Sequence, residues 1–411
     1  MDIKLTKALY SPEFIKPLII SFRLLNICNI NFFDDNLPTF KKYWIYALIV
    51  PCLVLHCISL VYYIIRITSE NKNVVDLAYT VPILMITTQA IIKAAFIIKR
   101  KGEIKQIIEE LGAMWRTTDL TKIQLKKKNA VLSKIYICQR VIYISSMVGS
   151  SLYTISPLLE CLLRRVILKQ DFEWLLPFPC SYPFNPTETC FRYIILYIFQ
   201  SYCMFMCVFS YIGCEFLMVA ICSHLIAEFT ILREDFLNLK PIKNSSKRQI
   251  GGEETNKIEM NNFIKTHQKL IDLSRRLDES FNKTNFVILF FATVTMCFFA
   301  FTAKVATGAL FMLNNYTAVV VMMVQLFTLC YFSELLAKES SGIAKSVYEN
   351  LWYESGTNYQ KSIRFIIARA QRPCCLTSLK YAPINLASFR KVISTSWSYF
   401  SLILRIYEDI R

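Results

Sequence analysis

The chain is short of the residues that enzymes and metal sites are built from. Its 411 residues hold three histidines, His56, His224 and His267, each of which reads as a core or surface residue rather than a ligand. No HExxH, GxSxG, P-loop or GxGxxG pattern occurs. Paired carboxylates inside apolar stretches, which an intramembrane protease or proton-coupled carrier requires, are missing too. The expectation is no catalytic residue, no metal and no cofactor. Nine glycines and 13 prolines exclude a repeat or low-complexity architecture. The alternating pattern of a membrane β-barrel is also absent. The 15 cysteines form no CxxC pair, and many sit in apolar blocks, where a thiol acts as a small hydrophobe. Cys161, Cys180 and Cys190 share one loop, and a disulfide among them is left open.

Charge is also scarce, at 19%, against 54% hydrophobic residues and a mean hydropathy of +0.38. The apolar residues gather into blocks of about 20, the length that crosses roughly 30 Å of hydrocarbon. The pattern predicts an all-α polytopic membrane protein with seven spanning helices at 43–65, 74–98, 135–159, 191–223, 284–307, 316–337 and 384–407. Around them the expected organisation is an N-terminal segment 1–42, helices 1–4 within 43–223 as a ligand-binding bundle, and a helical loop 224–283. Helices 5–6 follow within 284–337, then a segment 338–383 and a last helix within 384–411. The N-terminus shows no cleavable signal, so the first span is expected to direct insertion.

Basic residues set the orientation. The segments 1–42, 99–134, 224–283 and 338–380 carry 34 Lys and Arg, while those on the other side carry 6. The positive-inside rule then places the N-terminus in the cytoplasm and the C-terminus outside. The same rule accounts for the net charge of +17 without nucleic acid as a partner. Two inner stretches, 256–283 and 363–371, show the spacing of amphipathic helices, with Phe263, Leu270, Leu273 and Leu277 on one face of the first. They suit subunit contacts, or alternatively the lipid surface. Only 241–255 reads as a flexible loop. Lys93, Arg140, Arg192 and Lys304 lie near helix ends, where they can snorkel to the interface. The sequons at Asn244 and Asn282 fall on the inner side. Pro186 voids the one at Asn185, and glycosylation of Asn315 is left open.

The outer halves of the spans are rich in aromatic and weakly polar groups, a lining suited to a small apolar ligand. Tyr79, Ile83, Ser151, Ile155, Tyr197, Tyr202 and Phe299 are the candidates. The terminal helix carries Lys391, Ser394, Ser398, Ser401 and Arg405 on one face and Ile393, Trp397, Phe400 and Leu404 on another. Periodicity alone leaves a pore-lining helix and a serine-bonded packing helix as equal readings.

Four stretches resemble the insect odorant receptor family. They are FPCSYPFN (178–185), SELLAKESSGIAKSVYENLWYE (333–354), IIARAQRPCCLTSLKYAPINLASF (366–389) and STSWSYFSLILR (394–405). The resemblance covers length, span number and inverted topology in the N-terminal half, and motifs in the C-terminal half. Ala387 and Trp397 depart from it mildly. The third inner loop is short and the terminal signature differs from that of the olfactory co-receptor, so the chain resembles an odour-tuning subunit. The resemblance implies a volatile odorant as ligand and a heterotetrameric, odorant-gated, non-selective cation channel formed with the co-receptor in the plasma membrane of a sensory neuron. It implies pore positions at Ser398, Leu402, Arg405 and Ile406, and subunit contacts at Tyr348, Trp352, Arg369, Gln371 and Pro373. Ser398, Leu402 and Ile406 are expected to face the pore axis, and Ser394 and Ser401 the neighbouring helices. The alternatives are a seven-helix receptor signalling through G proteins, a gustatory-type receptor and a transporter. The charge asymmetry opposes the first, and the gustatory C-terminal motif and the internal repeats of a transporter are absent.

Overall fold

The computed structural model describes residues 10–32, 39–70, 74–166, 174–239, 250–305 and 309–410. Asn244 and most of the loop expected at 241–255 lie outside them. Ten α-helices are described: α1 (Pro12–Ile27), α2 (Thr39–Ser69), α3 (Val74–Lys99), α4 (Lys101–Met114), α5 (Lys122–Val166), α6 (Cys190–Asn238), α7 (Ile250–Val305), α8 (Ala309–Glu349), α9 (Thr357–Ala370) and α10 (Leu386–Ile410). A two-residue antiparallel pair, β1 (Thr377–Ser378) and β2 (Ala382–Pro383), is the one strand element among the described residues. Of the three residues between the strands, Leu379 and Lys380 take left-handed backbone, φ 51° and 64°, and the Tyr381 N–H donates to the Ser378 carbonyl at 3.1 Å.

Helix starts follow local chemistry. Ser11 caps α1 by accepting from the Phe14 N–H, with Pro12 preorganised at the first helical position. Thr189 caps α6 through the Arg192 N–H. The Ser11–Pro12 signal marks a helix inside the segment 1–42, where none was expected.

Six helices among the described residues are long and apolar enough to cross a membrane: those at Ala47–Ser69, Leu77–Lys99, Lys122–Leu162, Cys190–Asn238, Ile258–Val305 and Leu310–Glu349. The seventh expected span forms α10, a helix over the expected residues, but its hydroxyls and basic residues leave it below that apolar standard. Four helices run far past the predicted span ends. α6 has 49 residues and α7 has 56, about 74 and 84 Å long. The stretch 256–283 is therefore not a separate helix. It is the first half of α7, and Leu270, Leu273 and Leu277 are fully buried in the core.

α6 is the axis of the packing. Every residue from Ser210 to Leu232 is buried, because α1, α3, α5, α7 and α8 surround it. A helix that is apolar all round is a central helix. α1 lies along it through Phe14, Leu18 and Leu25, so closely that a Cβ on Gly213 would come within 3.1 Å of Leu25. At that end Arg116, Lys127 and Lys128 are paired with acidic residues of α1 and α6. Lys128 Nζ donates to Glu13 at 2.7 Å and lies 4.4 Å from the Trp115 ring, and Arg116 meets Asp235 at 2.6 Å. Both ring nitrogens of His224 face carbonyl oxygens, those of Ala220 and Phe14.

The segment 371–386 ties α10 to the bundle. Ser340 Oγ accepts from the Cys374 N–H at 2.9 Å, and Asp278 accepts from the Thr377 N–H at 2.6 Å. Burial pushes the Cys374 thiol above its ordinary pKa, so it stays protonated. Glu334 Oε2 then accepts from the Leu386 N–H at 2.8 Å, a carboxylate at the positive end of α10.

Candidate functional site: an apolar cavity and the terminal helix

In the half of the bundle that holds the segment 174–189, α3, α5, α6, α7 and α8 line a cavity of about 120 Å³. His56 of α2 and Phe178 of the segment complete its wall. Apolar groups dominate, and most of the hydroxyls are already used. Ser145 Oγ donates to the Ile142 carbonyl, Ser150 Oγ to that of Ser146 and Thr87 Oγ1 to that of Ile83. Tyr153 OH donates to Asn315 Oδ1 at 3.1 Å. The buried Oγ of Ser146 has no hydrogen-bond partner among the described residues. The Ile142 carbonyl, its usual acceptor one turn back, already receives Ser145.

Of the residues expected to bind ligand, the structure brings Ile83 and Phe299 together on the cavity wall. The others lie elsewhere. The Tyr79 ring packs edge-on against Phe311, Ser151 is half-buried and Ile155 is 55% exposed. Tyr197 OH donates to the Thr154 carbonyl, and Tyr202 packs on the cluster around Cys203 and Cys207. On α5 the wall residues are Ser145, Ser146, Gly149, Ser150 and Tyr153, a face that at about 100° per residue lies roughly opposite the one holding Ser151 and Ile155. The run SSMVGSS (145–151) could have pointed to it, since small residues in a span leave room beside the backbone.

Beneath the cavity lies a charge pair. Lys93 does not snorkel: its side chain is fully buried, and Nζ meets Glu215 Oε1 at 2.5 Å. The ammonium lies 3.4 Å from the ring centroid of Tyr211, whose other contacts include the cavity. Lys304 is exposed, as an interfacial lysine is. Asn315 is fully buried and bonds Tyr153, Thr302 and the Phe311 carbonyl, so its amide is closed to a glycan. Cys161, Cys180 and Cys190 are joined by no disulfide.

α10 packs on α7 and α8. The hydroxyl that reaches another helix is Ser396, whose Oγ donates to the Thr293 carbonyl at 3.0 Å. Ser394 and Ser401, expected to face neighbouring helices, are both exposed within this chain; Ser401 Oγ bonds back to the Trp397 carbonyl within α10. Ser398, Leu402 and Ile406 form an exposed stripe at four-residue spacing, with Arg405 exposed beside it. At the opposite end of the molecule from the cavity, Tyr348, Arg369, Gln371 and Pro373 are exposed, and Trp352 Nε1 donates to the Tyr348 carbonyl.

A family model described as 7tm Odorant receptor matches residues 73–397. Odorant receptor 13a of Drosophila melanogaster is 24% identical over 273 residues, which make up 63% of this chain and 63% of that receptor. The chain thus spans less than two thirds of that relative's length. Odorant receptor 67c of the same fly is 22% identical over 345 residues, 83% of this chain and 82% of that one. The fold is similar to that of the insect olfactory receptor OR5 from Machilis hrabei in complex with eugenol. That match has a TM-score of 0.78 at 12% identity and covers 96% of this chain and 100% of that one.

Proposed function

Because the chain belongs to the seven-transmembrane odorant receptor family, as an insect tuning receptor and not an enzyme, we propose that it binds small volatile odorants in the cavity beside α5 and α6. On this reading it is the ligand-specific subunit of an odorant-gated, non-selective cation channel, assembled with olfactory co-receptor subunits. It sits in the plasma membrane with the N-terminus cytoplasmic. The observation that carries the ligand site is the mainly apolar cavity with a buried hydroxyl, Ser146 Oγ, that has no partner among the described residues. A mainly apolar molecule with a single hydrogen-bond acceptor, such as an ester or ketone, fits that chemistry. Bound, it gives Ser146 the partner that the protein does not.

Gating follows if the open bundle binds the odorant more tightly than the closed one. A thousandfold shift in the closed–open ratio needs about 4 kcal/mol of differential affinity. The exposed stripe Ser398, Leu402 and Ile406 is the surface that would line a shared pore, with Arg405 beside it. Tyr348, Trp352, Arg369, Gln371 and Pro373 would meet neighbouring subunits. Expressed with the co-receptor, the chain should give odorant-evoked cation current. A receptor that reaches the surface and gives no current to a broad odorant panel would overturn the reading.

A narrower expectation concerns Ser146. Removing one neutral hydrogen bond costs roughly 0.5–1.5 kcal/mol. Ser146→Ala should therefore raise the EC50 for oxygenated odorants by about three- to tenfold and leave hydrocarbon analogues of the same shape unaffected. Dose–response curves for matched ester and hydrocarbon pairs check it, and equal shifts for both would remove Ser146 from ligand recognition.

A further inference from the structure

A cavity among helices needs a closing element, and a non-helical segment can serve only if its backbone polar groups are satisfied. The segment around Phe178 meets that need through one side chain. Gln200 Oε1 accepts from the Phe178 N–H at 2.9 Å, and Gln200 Nε2 donates to the Phe178 carbonyl at 3.2 Å. The same amide nitrogen reaches Tyr182 OH at 3.1 Å. Gln200 is fully buried on α6 and forms no part of the cavity wall. Two further ties hold the segment: the Ser181 N–H donates to the Ser59 carbonyl of α2, and Tyr193 OH donates to the Leu175 carbonyl.

The side chain fixed by this amide clamp is an aromatic ring on the cavity wall. Phe178 is 1% exposed, stacked on Tyr153 with centroids 6.4 Å apart and edge-on to His56 at 5.7 Å. An amide that pairs with both polar groups of one peptide residue fixes that residue more tightly than packing alone, because slippage leaves two buried groups unpaired.

We infer that Phe178 closes one end of the ligand cavity as a ligand-contacting residue that sets the upper size of the odorant, and that Gln200 is the positioning residue that holds it there. The inference rests on the reading of the cavity as the odorant site. It assigns to the stretch FPCSYPFN, which packing alone leaves without a role, a part in selectivity. Ligands that fit beneath the ring are retained, and those longer by a few methylenes are refused by contact with it.

The test uses the full receptor expressed with the co-receptor, surface labelling to count receptors, and a series of straight-chain acetate esters from butyl to decyl. Phe178→Ala should move the best ester to a longer chain and lower sensitivity to the shortest active ester by about tenfold, the scale of a missing methylene contact in an apolar pocket. Phe178→Tyr should keep the original optimum. Gln200→Met, similar in length but unable to make the clamp, should move the optimum in the same direction and speed current decay after odorant washout. If Gln200→Met fails to reach the surface, Tyr182→Phe, which removes one partner of the same amide, should give the smaller shift in that direction. An unchanged optimum in Phe178→Ala, with Gly149→Leu abolishing the response by filling the cavity, would overturn the role of Phe178 and leave the cavity as the odorant site. An unchanged response in Gly149→Leu as well would overturn both. Equal loss for every ester in Gln200→Met and Tyr182→Phe, with decay unaltered, would reduce Gln200 to a structural residue.

Discussion

Lys93→Met and Glu215→Gln, made singly, are expected to destabilise the folded receptor by about 3–5 kcal/mol each, the scale of leaving one member of a buried ion pair uncompensated. The Lys93 side chain is fully excluded from solvent and that of Glu215 is 11% exposed, so neither charge has water to turn to when its partner is removed. Total stability of a folded protein is about 5–15 kcal/mol, so such a loss should show as strongly reduced surface receptor and a lower unfolding temperature in detergent. The double variant Lys93→Met/Glu215→Met should recover most of it, since an apolar pair of similar volume replaces two desolvated charges. A double variant no better than the singles would sink this account. In the recovered variant the Tyr211 ring loses its cation. Because that ring also lines the cavity, odorant sensitivity is expected to shift even where stability is restored, which dose–response curves at matched surface abundance would read.

Gly149→Leu is expected to raise the odorant EC50 by about 100-fold or more, equivalent to at least ~2.7 kcal/mol, with surface abundance close to wild type. A Cβ at position 149 meets only Thr317 Cγ2, at an ordinary 3.8 Å, so the helix accepts a side chain there. The remaining atoms of a leucine then enter a cavity of only about 120 Å³ and take the space of the ligand. Gly149→Ala is the control. It removes the helix penalty of glycine, about 0.5–1 kcal/mol, and takes little volume, so its EC50 should stay within about threefold of wild type. A leucine variant with unchanged EC50 would show that odorants bind elsewhere.

Both predictions concern residues that the amino-acid sequence placed on a helix but not on a face of it. Lys93 reads as an interfacial lysine because it lies near the end of an apolar run; its partner is 122 residues away on α6. Ser151 and Ile155 sit on the right helix at nearly the right height, but on the face roughly opposite the wall formed by Ser146, Gly149 and Tyr153. Phe178 and Gln200 are joined across 22 residues by a contact that no local pattern announces. Where a polar mark was available, sequence reasoning went further. Leu270, Leu273 and Leu277 stand among charges in α7, so their shared face was readable, and all three are fully buried.

The sequence by itself determined the helical class, the membrane-length runs of apolar residues and the family, through motifs concentrated in the last third of the chain. These follow from composition along one dimension: the length of an apolar run and the order of motifs need no neighbours. Only the tertiary structure decided which face of each helix looks inward, that α1 lies on α6, that Lys93 meets Glu215 and that one glutamine holds the backbone of a ring on the cavity wall. The physical reason is the solvent. In water the outward face of a helix is polar and the apolar stripe gives its rotation away. Towards lipid both faces are apolar, and a helix such as α6 is buried all round, so the phase is absent from the sequence and appears only when the helices pack.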